Sequence, residues 1–370
     1  MKFRLLIALF LLINLPGSEI NADAEQSGLF EDDSVMELTL QIDLDSLCRP
    51  REDPDCQYEP SRLTWYENGE TNSIPIEFIV RGGWRSLSIN CQIPLLFLRF
   101  PEDETRGTPF EGQTSLPLTT HCGRSNLLNE LNSPSRYLNY EQFLLKEYLA
   151  YWMYNQISDL SLRVRLVSVL YENPDKPGKG SRNYAFFTEH FKSLAARSGT
   201  ELLPRHSFDH ERLDLRQADF VALFQFMVGN TDWSIARQRN TILLQGADGV
   251  QRPVPYDLDM SGLVNAPYAG PPPSLPIKDV TERYYLGFCH PEVNWNELFD
   301  EFESHRPALE ALIPEVPGLF KKEISASRRY LNQFFRVLDS PKKREKYIIG
   351  ACQPWPPARE DHMAPANLIP

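Results

Sequence analysis

The stretch GNTDWSIARQRNTILLQGADGVQRPVPYDLDMSG, residues 229–262, holds Asp232, Asn240, Asp257 and Asp259. Carboxylate and amide oxygens are hard ligands of the kind Mg²⁺ prefers. Metal-assisted phosphoryl transfer needs few protein parts. One carboxylate orients the attacking hydroxyl; an amide oxygen and a second carboxylate hold Mg²⁺ against the phosphates. Asn240 precedes the apolar run TILLQ, and Asp257 follows PVPY. The two runs read as strands joined by the turn from Gly246 to Gly249. A hairpin brings its ends side by side, so Asn240 and Asp257 are expected close together. Asp232, one loop earlier, is expected opposite them. The bland reading is that GNTD and GADG are ordinary turns, and Asp-x-Asp also marks glycosyltransferase metal sites and calcium loops.

These residues need elements to position them. ADFVALFQFMV, from Ala218 to Val228, is apolar nearly all round, which predicts a helix buried on all sides. Gly229 suits its C-terminal cap. The Asp232 loop is therefore expected to emerge from the centre of the protein. Earlier, NYEQFLLKEYLAYWMYNQI from Asn139 has neither Gly nor Pro and reads as a helix of about five turns. Asn139, Gln142 and Lys146 mark its polar face. Glu147 lies apart from them, near Phe143, Leu144 and Tyr151. A carboxylate on an apolar side needs a cation or hydrogen-bond donors. Tyrosine hydroxyls could satisfy it, or it could hold a lysine or arginine in a site.

MELTLQIDL, IPIEFIVRG and IPLLFLRF read as strands, as do RVRLVSVLYE and RNYAFFTEH. WNELFDEFESH, PALEALI and FKKEISASRRYLNQFFRVL read as helices. The expected fold class is α+β with a β-rich N-terminal lobe and a helical C-terminal lobe. The expected boundaries are a signal peptide at 1–24, a disordered lead at 25–34, a β-rich lobe with one helix at 35–200, a helical lobe with the metal-site hairpin at 201–340, and a tail at 341–370. No internal repeat is present.

The chain has 370 residues, 42% of them hydrophobic, and a net charge of −12. That length supports a substantial core. The acidic balance argues against nucleic-acid binding, which needs clustered Lys and Arg. Lys2 and Arg4, the apolar run Leu5 to Leu15 and the Ala22-Asp23-Ala24 site read as a secretory signal peptide. The run is too short to span a membrane comfortably. The expected location is exported, periplasmic or extracellular, with no membrane span after signal removal. Six cysteines in an oxidising compartment predict disulfides. Cys48 and Cys56 close the shortest loop and form the leading pair. Cys91 with Cys122 and Cys289 with Cys352 is one of three options for the rest.

The Asp232 loop after a buried helix, the downstream Asn240 and the hairpin ending in Asp257 together resemble the core of the CotH family of atypical kinases. HipA-like kinases are more distant. FIVRGGWR, YEQFLLKEYLAYWMYNQI and YAFFTEH also look like that family, so the resemblance covers Ile74 to Leu263. It implies a two-lobed protein-kinase-like fold and a phosphotransferase that uses Mg²⁺ and ATP on a protein or small-molecule hydroxyl. Asp232 resembles the catalytic-loop aspartate. Asn240 and Asp257 resemble the metal ligands, with Asp259 sharing the metal. Glu147 resembles the helix glutamate that pairs with a nucleotide-binding lysine. Glu189 ends the strand that resembles the one entering the hinge, and is a further cofactor-site candidate. No Gly-x-Gly-x-x-Gly loop is present, and no lysine stands on the relevant strands, where Arg99 in LFLRF is the basic candidate. The alternative is a secreted kinase-like binding or scaffold module without catalysis.

Overall fold

The structure is a computed structural model and describes residues 28–67, 69–123, 140–176 and 180–357. The signal segment lies outside these residues. Seven strands form the first part: β1 (Met36–Gln41), β2 (Glu59–Glu67), β3 (Glu70–Val80), β4 (Leu96–Arg99), β5 (Ser115–Thr120), β6 (Val164–Glu172) and β7 (Gly180–Thr188). They close into a barrel in the order β1-β2-β3-β4-β5-β7-β6. Closure comes from one parallel pairing, with Met36 beside Val167 and Gln41 beside Glu172. Alternation explains the filling. Along β3, Ile74, Ile76, Phe78 and Val80 are buried, the period-2 pattern that sends one face inward. Phe110 lies among them, stacked on Phe100 and edge-on to Trp65. Residues 28–34, expected in a disordered lead, include the turn Gly28–Phe30, whose Leu29 is buried in the same core.

A short helix, α1 (Glu102–Thr105), lies between β4 and β5. The long helix α2 (Tyr140–Ile157) packs on the outer face of β6 and β7. Of its expected polar face, Asn139 lies outside the described residues, and Gln142 and Lys146 are buried. Gln142 donates to Gly318 O and accepts from Phe320 N–H, and Lys146 pairs with Glu323 at 3.2 Å. These partners come from the segment that joins the two long C-terminal helices and from the first turn of the second, so polar spacing here marks an internal contact and not a water-facing stripe.

After α3 (Phe191–Arg197) come β8 (Glu201–Leu202), α4 (Leu215–Val228), β9 (Thr241–Gln245) and β10 (Gln251–Pro255). The three strands make a small sheet in the order β10-β9-β8. The helices α5 (Trp295–Glu315), α6 (Lys321–Leu338) and α7 (Pro341–Tyr347) complete the chain. Helix α4 is the centre of a second core, and every residue from Ala218 to Val228 is buried. Asp214 caps its start by accepting from Gln217 N–H, and Gly229 ends it in the left-handed region at φ 68°. Its one buried acid, Asp219, accepts from the backbone N–H of His290 and lies 3.0 Å from His290 Nδ1.

The two-lobed kinase-like class with a helical C-terminal lobe is overturned. The structure is a closed seven-stranded mixed barrel with a small three-stranded sheet and helices. Two physical causes account for it. The return of β1 onto β6 removes the open edges that a separate β lobe would keep. Helix α2 also shares one core with α4 and α5 and the outer faces of Val164, Leu166 and Phe186.

The disulfides Cys48–Cys56, Cys91–Cys122 and Cys289–Cys352 are formed. They fit an exported, disulfide-bearing protein. Among the described residues no helix is long and apolar enough to cross a membrane.

Close backbone approach fixes the loop after β10. A Cβ on Gly262 would meet Val280 O at 2.6 Å and also Tyr330 Oη. Gly262→Ala is expected to destabilise the protein by about 2–3 kcal/mol, the usual cost of overpacking. Gly270→Ala, where a Cβ meets nothing within 4 Å, should stay within about 0.5 kcal/mol of wild type. Urea unfolding of the two variants checks this.

Candidate functional site

The β9–β10 hairpin pairs Thr241 with Pro255, and Tyr256 N–H donates to Asn240 O at 3.0 Å. Its ends therefore meet as expected. Asn240 and Asp257 both sit at positive φ, 47° and 57°. Asn and Asp tolerate this region better than most residues. The turn at each end takes both side chains out of the strand ladder.

Asp232 lies beside Asn240. The Asn240 amide nitrogen donates to Asp232 O at 2.7 Å and to Asp232 Oδ2 at 3.1 Å. Its carbonyl oxygen is then the atom available to a cation. Arg239 pairs with the other carboxylate oxygen of Asp232. Asn230 Oδ1 accepts from Asp232 N–H at 2.9 Å and fixes the turn. Burial raises the pKa of Asp232, and the Arg239 charge opposes that.

Helix α2 approaches from the other side. Tyr151 Oη accepts from Asp257 N–H at 2.7 Å. Glu147 stands one turn earlier on α2, and its partner is an arginine from the loop after β3. Arg85 lies 3.7 Å from Glu147, 3.7 Å from Asp257 and 3.4 Å from Asp259. The same loop begins with Arg81, whose guanidinium lies over the Phe97 ring at 5.2 Å. Burial alone would lower the pKa of Arg85; Tyr268, Asp259, Glu147 and Asp257 outweigh it and hold the arginine charged.

The acids are strained in the other direction. Burial pushes Glu147 up to about 8, with Arg85 opposing and the Asp259 and Asp257 charges adding to the rise. Burial and then the Asp259 charge raise Asp257 to about 7, with Arg85 and Arg81 opposing. Its side chain is still 42% exposed toward a cavity, so Glu147 is the more deeply desolvated of the two.

That cavity holds about 290 Å³. Arg81, Arg85, Glu147 and Asp257 are its charged lining residues. Phe97, Pro117, Leu162, Phe191 and Tyr256 make apolar walls, and Thr119, Thr188 and His190 add polar groups. A mainly apolar cavity with a few convergent charges is the usual form of a small-molecule site.

Of the expected site residues, Glu147 and Asp257 line the cavity, Asp232, Asn240 and Asp259 do not, and two more are placed elsewhere. Arg99 is exposed, pairs with Glu77 at 3.2 Å and covers the Tyr58 ring at 3.6 Å. It is not among the cavity-lining residues. Glu189 is buried but engaged: Arg197 donates to both its oxygens at 3.0 and 2.9 Å, and Arg163 N–H donates at 3.1 Å. Its neighbours Thr188 and His190 line the cavity instead, as alternation along an extended segment requires. Arg81 and Arg85 carry the positive charge that was sought on a lysine. The signal was in RGGWR, where two arginines flank a Gly-Gly pair directly after an alternating strand.

The donor set suits a hard divalent cation: Asn240, Asp257 and Asp259 offer oxygens of the type Mg²⁺ takes. The carboxylates do not yet converge, because Arg85 spreads three of them around its guanidinium. Among the described residues the one set of three His, Cys, Asp or Glu ligand atoms within 4.8 Å of each other is Cys48, Asp53 and Cys56. Both sulfurs there are spent in the disulfide.

The raised acids set a pH dependence. Glu147 and Asp257 bind protons more tightly folded than unfolded. Their stabilisation is complete below the unfolded carboxylate range and is lost as pH rises through about 7 and about 8. Glu147→Gln removes one of these titrations. Its Tm should fall less than that of wild type between about pH 5 and about pH 9; parallel Tm profiles would show that Glu147 is not raised. No protein-family model, curated protein or solved structure matches the chain, so the functional reading rests on this geometry.

Proposed function

We propose that the chain is an exported phosphotransferase that uses Mg²⁺ and ATP to modify a hydroxyl on a protein or small molecule outside the cytoplasm. One observation carries the reading: Arg81, Arg85, Glu147 and Asp257 line a cavity together with aromatic and apolar side chains, and Asp259 meets the same Arg85. Arg81 and Arg85 are the groups that would grip phosphate oxygens, since a guanidinium fork matches phosphate geometry. The apolar walls of Phe97, Phe191 and Tyr256 suit a flat base. Asn240, Asp257 and Asp259 would hold Mg²⁺, which neutralises charge on the phosphates when bound.

Asp232 is the base in this scheme. Asn240 and Arg239 fix its carboxylate from two sides. A pinned carboxylate loses little entropy when it orients an acceptor hydroxyl. Its raised pKa favours proton acceptance at neutral pH. These roles keep what the CotH-like motif implies for Asp232, Asn240 and Asp257, and put arginines in place of its lysine. The barrel sets this chain apart from the two-lobed fold that the motif implies.

A second reading has its own observation. Arg85 already lies among Glu147, Asp257 and Asp259. It could serve as a built-in cation in a binding module that performs no chemistry.

Thermal shift with Mg²⁺ and ATP separates the two. At about a hundred times Kd, binding stabilises the folded state by about 2.7 kcal/mol, which is a Tm rise of about 3–5 °C for a chain of this size. Asp257→Ala should abolish the rise. Label from the γ-phosphate should then reach an acceptor hydroxyl with wild type and not with Asp232→Asn. No Tm change at millimolar nucleotide would leave the binding-module reading in its place.

A further inference from the structure

The loop between β3 and β4 carries Arg85, so whatever fixes that loop fixes the cation of the site. Arg81 N–H donates to Leu95 O at 2.8 Å and closes the loop at its base. Beyond that point the chain leaves the sheet. Gly83 takes φ 101° and ψ −172°, a conformation open essentially to glycine alone. A turn at Trp84–Ser86 follows. The backbone carbonyls of Ser86, Cys91 and Gln92 then point inward, and buried carbonyls need donors.

All three find one donor. Arg49 Nη1 donates to Ser86 O at 3.0 Å and to Cys91 O at 3.0 Å, and Nη2 donates to Gln92 O at 3.1 Å. Arg49 comes from the small Cys48–Cys56 loop and is buried, 7% exposed. No carboxylate pairs with it within 4 Å among the described residues. A buried guanidinium is costly unless its donors are matched, and here the matching groups are loop carbonyls. The fork is what permits this; a lysine ammonium cannot address three divergent carbonyls in the same plane.

Other contacts hold the same segment. Glu52, from the same small loop, accepts from Ser88 N–H at 2.5 Å. Asn90 Nδ2 donates to Trp84 O at 2.9 Å. Cys91 is bonded to Cys122 just beyond β5, and Ile93 N–H donates to Cys122 O at 3.0 Å. The loop is thus held from the side away from the cavity, while Arg85 reaches from its opposite side to α2 and the hairpin end.

We infer that Arg49 is a positioning residue that locks the 83–92 loop so that Arg85 faces Glu147, Asp257 and Asp259. The inference rests on the reading of Arg85 as a phosphate-gripping group of the site. It adds that the site is set from a disulfide-closed loop, Cys48–Cys56, which contributes no atom to the cavity lining.

The test pairs a binding cycle with a structural readout that is independent of function. Hydrogen exchange by mass spectrometry would follow residues 83–92, α2 and α4 in wild type, Arg49→Met and Arg49→Lys. Isothermal titration with Mg²⁺ and ATP would follow the same proteins, Arg85→Met and the Arg49→Met, Arg85→Met double variant. Both Arg49 variants should speed exchange over 83–92 by about tenfold or more while α2 and α4 keep wild-type protection. The Kd for ATP should rise about tenfold in Arg49→Met and in Arg85→Met, with no further rise in the double variant, because both act through one group. Arg49→Lys should lie between wild type and Arg49→Met. Unchanged exchange over 83–92, or faster exchange with unchanged Kd, would overturn the positioning role. Additive losses in the double variant would overturn it as well. If Arg49→Met fails to fold, Arg49→Lys decides by the same two readouts. A wild type that binds no ATP would instead overturn the site reading and with it the functional half of this inference, and the exchange data would then show Arg49 as a loop fastener alone.

Discussion

Three carboxylates share one guanidinium. Glu147, Asp257 and Asp259 come from a helix and from the loop after a hairpin, and Arg85 is the cation that all of them approach. Removing a charge from water is expensive, and an acid left without a partner takes up a proton instead. Burial raises Glu147 and Asp257, and Arg85 opposes the rise in both. Under the proposed function, a divalent cation bound by these hard oxygens would take over part of that compensation and leave the arginines to meet an anion.

The rest of the fold serves to bring these groups together. Barrel closure through β1 and β6 presents β6 and β7 as a wall for α2. Helix α2 carries Glu147 and Tyr151 to the hairpin end, where Tyr151 takes the Asp257 N–H. Helix α4 runs through the second core and ends at Gly229, from which the Asp232 loop emerges. Arg283 secures that exit. It donates to Phe226 O, Met227 O and Tyr330 O, so the last carbonyls of α4 are not left unpaired. The β3–β4 loop supplies the arginines from the remaining side.

Local chemistry was legible in the sequence where it depends on neighbours in the chain. The buried helix before Gly229, the hairpin between Asn240 and Asp257, and the misplaced Glu147 were all visible as periodicity and turn residues. The barrel was not, because its closing contact joins Met36 to Val167 and no local pattern encodes a pairing so distant. The same limit hid Arg85, whose partners lie on α2 and beyond β10. Arg99 was the residue sought in its place because it sits on a strand, yet β4 sends it to the surface beside Glu77 and Tyr58. Glu189 shows the reverse case: a buried acid near the cavity whose oxygens are both taken by Arg197.

The central claim is that Arg85 and the acids around it form a working cation and phosphate site and not a closed internal ion cluster. A crystal structure of the protein with Mn²⁺ and a non-hydrolysable ATP analogue tests this most directly, read by anomalous scattering. The account predicts a manganese peak at ligand distance from Asp257 and from Asn240 or Asp259, with Arg85 turned from the carboxylates to the phosphates. Arg85 still seated among Glu147, Asp257 and Asp259, with no manganese peak beside them at millimolar ligand, would contradict it.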